Sequence, residues 1–108
     1  MTDINTWIDN EVKSNDVVLF MKGTPDTPMC GFSGRATQIL NTLGVPFKGI
    51  NVLDSNDLRQ GIKDYTNWPT VPQLYVKGEF VGGSDIMMEM YEAGELEQLF
   101  EEKQVAKA

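Results

Sequence analysis

DVVLFMKGTPDTPMCGFSGRATQILNTLGVPFKGINVL, residues 16–53, is the stretch whose reading decides the fold. Residues 16–22 hold a short continuous apolar run, as a strand buried on both faces does. GTPDTPM, residues 23–29, carries a glycine and two prolines and reads as a loop. After Cys30, the residues Ile39, Leu40 and Leu43 suggest a helix that Gly44 stops. FKGINVL, residues 47–53, reads as a second strand. Strand, helix and strand in that order imply a parallel pair, because the crossover is right-handed and uses the helix.

Upstream, Ile4, Trp7, Ile8 and Val12 are spaced for one apolar face of a helix over residues 4–13. Downstream, Ser55 can cap a helix over residues 56–66, and NWPTVPQ, with two prolines, reads as extended. QLYVK (73–77) and EFVG (79–82) read as a tight hairpin around Gly78. A last helix is expected from Ser84 or Asp85, broken at Gly94 and resumed through GELEQLFEEK. The order is αβαβα followed by ββα. It predicts an α/β fold with a four-stranded mixed sheet and helices on both faces, the thioredoxin-like arrangement.

The 108 residues fit one compact domain, residues 1–108. Sixteen acidic and nine basic side chains give a formal net charge of −7, which argues against nucleic acid or an anionic membrane as partner. Residues 85–102 hold seven carboxylates and no Lys or Arg, the pattern of a solvated helical face. No apolar stretch approaches the ~20 residues of a membrane span. The N-terminus lacks the apolar core of a secretory signal and the arginines of a transit peptide. The cytoplasm is the expected compartment, with a processed organelle protein as the open alternative. One cysteine and no histidine exclude an intramolecular disulfide and argue against a zinc site built by one chain.

Cys30 stands where a Pro/Gly loop meets a helix start. Unpaired N–H groups and the helix dipole favour the thiolate there, which is both the nucleophile and the metal ligand. Two roles are open for Lys22: a solvated strand-end lysine, or a cation beside the thiolate or a bound carboxylate. The segment Trp68-Pro69-Thr70-Val71-Pro72 is a second candidate. A cis X–Pro bond occurs at roughly 5–6% in folded proteins, so Val71–Pro72 is expected to be trans; a cis bond would turn the Val71 backbone outward to pair with a peptide-like ligand. Gly82-Gly83-Ser84-Asp85 is either a hairpin exit with a helix cap or a place where a carboxylate approaches a helix N-terminus. Arg59 and Lys63 share a helix face, as ordinary surface charges also do. Arg35 has no reading beyond surface charge.

Cys30-Gly31-Phe32-Ser33, preceded by Met21-Lys22-Gly23-Thr24-Pro25, resembles the monothiol glutaredoxins of the CGFS class, and the likeness runs over nearly the whole chain. NWPTVPQLYVKGEFVGGSDI (67–86) and RQGIKDYTNWPT (59–70) carry it further. The resemblance implies a glutathione site. In it, Lys22 faces the glycyl carboxylate with help from Arg59, and Val71 before a cis Pro72 pairs with the cysteinyl unit. Ser84 and Asp85 bind the γ-glutamyl end, and Phe32 lines the site. Lys63 transfers less firmly, since family members vary there. The resemblance also implies a labile 2Fe–2S cluster shared by two subunits, with BolA-like proteins as partners. Some members carry a second cysteine where this chain has Ser84, so disulfide regulation through that cysteine is excluded here.

The cysteine count agrees with this independently. A 2Fe–2S cluster usually takes four thiolates. A homodimer supplies Cys30 twice, and two glutathione molecules complete the set. A cluster held so loosely suits a carrier that delivers it to apo iron–sulfur proteins. The alternative function is a glutathione-dependent oxidoreductase that reduces protein–glutathione mixed disulfides and needs only one cysteine. Against it, the loop between Lys22 and Cys30 is longer than in dithiol glutaredoxins, which by the resemblance goes with poor turnover. A third reading is an interaction module docking a partner on the acidic C-terminal helix, with Cys30 incidental.

Overall fold

The apolar run that opens the deciding stretch becomes one of the two inner strands of the sheet. The computed structural model describes residues 3–105. In it β1 (Val17–Met21) is buried at every position. The sheet runs β2-β1-β3-β4, with β2 at Lys48–Asn51, β3 at Gln73–Val76 and β4 at Glu79–Gly82. β1 pairs parallel with β2, Met21 opposite Asn51, and antiparallel with β3, Phe20 opposite Gln73. β3 and β4 form the expected hairpin. Lys77 and Gly78 both take positive φ, 51° and 85°, as a tight turn between twisted strands requires.

The period-two alternation of β1 builds two cores. Val18 and Phe20 join Tyr75 of β3 beneath α1 (Ile4–Ser14) and α3 (Asn56–Thr66), which contribute Ile8, Val12, Leu58 and Ile62. Val17, Leu19 and Met21 join Leu74 and Val76 on the other face. There α2 (Gly31–Thr42), α4 (Ser84–Glu92) and α5 (Glu95–Glu102) supply Ala36, Leu40, Met87, Leu96 and Phe100. This is the thioredoxin-like sheet with helices on both faces. The last helix breaks at Gly94 as expected, and Gly94 takes φ 75° to start α5. The seven carboxylates of residues 85–102 are all exposed, as a solvated face requires. Among the described residues, no helix is long and apolar enough to cross a membrane.

Three expectations need correction. β2 ends at Asn51, not at residue 53, and Val52–Asp54 forms a 3₁₀ turn. The Asn51 side chain causes this by accepting the Leu53 N–H at 2.9 Å, which curls the backbone away from the ladder. Trp7 is 36% exposed, so the inward face of α1 is carried by Ile8 and Val12, both fully buried. The Val71–Pro72 bond is cis, against the residue-level expectation of trans and in line with the family resemblance.

Candidate functional site

Cys30 is the N-cap of α2, in extended conformation, with its side chain turned back over the first helical turn. Its Sγ accepts the Ser33 N–H at 3.4 Å and lies 3.6 Å from Ser33 Oγ. Burial pushes the thiol pKa up. The Ser33 N–H and hydroxyl, the Phe32 N–H and the charge of Lys22 outweigh it, and the thiol settles below its ordinary value. Ser33 is the main local cause of that lowering.

The loop before Cys30 folds back on itself. Thr24 and Thr27 exchange backbone hydrogen bonds, at 3.2 and 3.0 Å, and the Met29 N–H donates to the Lys22 carbonyl at 2.9 Å. Gly23 makes this possible: its φ is +89°, and a Cβ there would stand 2.5 Å from the Thr27 carbonyl oxygen. The result sets Lys22 beside the cysteine, eight residues away in the chain.

A groove of 390 Å³ opens at the start of α2, lined there by Phe32. Lys22 and Phe32 line one side, Arg59 and Lys63 of α3 another, residues 68–72 the floor, and residues 83–86 the far end. Every binding residue expected from the sequence is therefore brought together: Lys22, Phe32, Arg59, Val71, Pro72, Ser84 and Asp85. Cys30 does not line the groove, but Lys22 and Phe32, which do, both act on its thiol. Lys63, the weaker candidate, lines it too. Arg35 does not.

Three cations meet in this groove. Lys22, Arg59 and Lys63 form no ion pair among the described residues, nor does Arg35 outside it, whereas Lys13, Lys48, Lys77 and Lys103 are all paired. Two polar atoms of groove residues, Trp68 Nε1 and Ser84 Oγ, are buried without a hydrogen-bond partner. Such a group costs about 1–3 kcal/mol if nothing satisfies it. Ser84 also begins α4, whose first N–H groups have no intrahelical partner. Gly83 lets this helix start close against the floor: a Cβ there would stand 3.2 Å from the Pro72 carbonyl oxygen.

The sequence reading missed Gln73. It is fully buried, and its Nε2 donates to the Trp68 and Thr70 carbonyls at 3.2 and 3.1 Å. Its Oε1 accepts from the Thr66 and Tyr75 hydroxyls, both at 3.2 Å. This fully satisfied amide holds the floor of the groove in shape. A glutamine opening an apolar strand was the available signal. Ser33 enters the sequence reading only as the last residue of the CGFS motif; its bonds to Cys30 and to the Lys22 N–H depend on the folded loop.

Comparison with known proteins gives the family and the fold. The glutaredoxin family profile matches residues 17–81. An uncharacterised ycf64-like monothiol glutaredoxin of Synechocystis sp. is 58% identical over 94 residues, covering 87% of this chain and 88% of that protein. The solution structure of a monomeric truncated mutant of Trypanosoma brucei 1-C-Grx1 superposes with a TM-score of 0.88 at 39% identity, over 99% of this chain and 96% of that one. The crystal structure of a buckwheat glutaredoxin–glutathione complex superposes with a TM-score of 0.82 at 25% identity, over 94% and 91%. With one cysteine, a thioredoxin-like sheet and these relatives, the chain belongs to the glutaredoxin family, in its monothiol branch.

Proposed function

We propose that the chain binds glutathione in the groove beside Cys30 and carries a 2Fe–2S cluster, as cargo, between two subunits. The observation that carries the glutathione reading is the set of three unpaired cations facing two orphaned buried polar atoms. Glutathione is a small peptide with a carboxylate at each end and an ammonium at one. Lys22, with Arg59, suits the glycyl carboxylate. The Val71 backbone on the groove floor suits the cysteinyl peptide groups. The start of α4, with Ser84 Oγ, suits the γ-glutamyl carboxylate, and Asp85 suits its ammonium. Phe32, more than half exposed, gives an apolar wall beside the two sulfurs. The buckwheat glutaredoxin, solved as a glutathione complex, supports the same ligand class.

The cluster reading rests on donor count. A 2Fe–2S cluster takes four thiolates. This chain has one cysteine, and among the described residues no group of three His, Cys, Asp or Glu side chains is placed to hold a metal ion. Cys30 from each of two chains and the thiol of each bound glutathione complete the set. Cys30 is only partly buried at its helix start, so a second chain can approach it. Acceptors are apo iron–sulfur proteins, and by family resemblance a BolA-like protein is a further partner. Anaerobic reconstitution with iron and sulfide tests this. A coloured dimer is expected only when glutathione is present; a colourless monomer in its presence contradicts the proposal.

The lowered thiol pKa of Cys30 favours a second reading, reduction of protein–glutathione mixed disulfides. The Cys30 thiolate attacks the glutathione sulfur of the mixed disulfide and releases the protein thiolate. A glutathione thiolate then attacks the glutathione sulfur on Cys30, forming oxidised glutathione and restoring the Cys30 thiolate. Ser33 stands where a dithiol enzyme would need its second sulfur, so glutathione must resolve the intermediate. Vigorous turnover by the cluster-free monomer would favour this reading over the carrier.

A further inference from the structure

We infer that Asn51 is a positioning residue for Lys22, acting through the Gly23 peptide; the inference rests on the glutathione reading above. Asn51 ends β2 directly opposite Met21 of β1. Its side chain reaches past that pair and accepts the Gly23 N–H at 3.0 Å. The same Oδ1 accepts the Leu53 N–H at 2.9 Å, and Nδ2 donates to Asp54 Oδ1 at 3.3 Å, so the amide is held from both ends.

The backbone of Lys22 is thereby fixed on all sides. Its N–H donates to Ser33 Oγ at 3.0 Å, its carbonyl accepts the Met29 N–H at 2.9 Å, and the next N–H, of Gly23, donates to Asn51 Oδ1. Ser33 and Met29 lie within three residues of Cys30, and Ser33 touches its sulfur. Asn51 touches neither the sulfur nor the groove. It alone of the three anchors Lys22 from a different strand. A lysine side chain has several rotatable bonds, so its ammonium is aimed only as well as its backbone is held. Asn51 sets that aim, and its influence is confined to the ligand end that Lys22 meets, the glycyl carboxylate.

The test uses NMR titration of the full-length protein with two probes: glutathione, and its glycyl ethyl ester, which lacks that carboxylate. The wild type is expected to prefer glutathione. Asn51→Ala is expected to lose roughly fivefold in glutathione affinity, the worth of about one hydrogen bond, with ester affinity unchanged. In a Lys22→Ala background, Asn51→Ala is expected to add nothing. Should Asn51→Ala fail to fold, Asn51→Ser, one atom shorter, repeats the comparison. Equal weakening of both probes, or a further loss on top of Lys22→Ala, overturns the inference and leaves the glutathione site standing. A wild type that binds neither probe overturns the glutathione reading itself.

Discussion

Lys13, Lys48, Lys77 and Lys103 each stand 2.8–3.0 Å from a carboxylate oxygen, of Asp9, Glu11, Asp16 and Glu79 respectively. Lys22, Arg59 and Lys63 stand around one groove with no such partner among the described residues, and Arg35, outside it, has none either. The chain has sixteen acids for nine bases, so carboxylates are in ample supply. The paired lysines add little to stability, since exposed ion pairs contribute about 0–1 kcal/mol each. Asp85 lines the same groove, yet no ion pair forms there. On the proposed reading, the cations' charge is left for a ligand. The contrast teaches that in an acidic protein the position of the cations is more informative than the net charge.

The largest effect should follow from removing the sulfur. Cys30→Ser is expected to abolish both cluster loading and mixed-disulfide exchange while far-UV circular dichroism stays unchanged. Retained partner binding and cellular function in that variant would instead favour the interaction-module reading. Next in size is the cation contrast itself. Lys22→Ala is expected to lower glutathione affinity about tenfold, the worth of one charge-assisted hydrogen bond. Lys48→Ala, whose partner is Glu11, is expected to leave that affinity unchanged. Equal losses in the two variants would break the comparison.

A smaller effect concerns proton binding at the sulfur. Because the folded thiol lies below its ordinary value, alkylation of Cys30 is expected to reach its plateau rate at a lower pH than a free thiol does. Lys22→Ala should move that profile upward only slightly, since Lys22 is the least of the causes and the Ser33 N–H and hydroxyl remain.

The smallest expected effect lies away from the groove, where Tyr65 donates to Asp9 Oδ1 at 2.7 Å. Tyr65 bonds and Lys13 charge hold the Asp9 carboxyl below its usual 3.8, so that contribution is present above pH 3.8 and lost as pH falls through the lowered value. Burial, then the bond to Asp9, pushes Tyr65 up to about 12, so its share is present below pH 10 and lost as pH passes 12. Tyr65→Phe is expected to lower the Tm modestly near neutral pH, with the difference vanishing in acid. A constant difference at all pH values would show that the lost hydroxyl acts by packing alone.

Local signals carried much of this protein into view. The run VVLFM announced an inner strand, Gly44 and Gly94 marked helix boundaries, and the Pro/Gly loop placed Cys30 at a helix start. What stayed hidden depends on side chains that act across the chain. Asn51 shortens β2 because its amide finds N–H groups at Leu53 and Gly23, and the identity of residue 51 alone does not announce that. Gln73 holds the groove floor through four bonds to residues spread from 66 to 75. Arg59 and Lys63 read as surface charge until α3 is docked, when they meet Lys22 from another element. Trp7 fitted the apolar period of α1 yet sits at the edge of the buried face.

The central claim is that one cysteine per chain suffices because glutathione supplies the remaining thiolates. The direct measurement is the ratio of iron, sulfide and glutathione per chain in the anaerobically reconstituted, size-separated complex. About one of each per chain is predicted, from four thiolates shared by a two-chain complex. A stable cluster that contains no glutathione would contradict it.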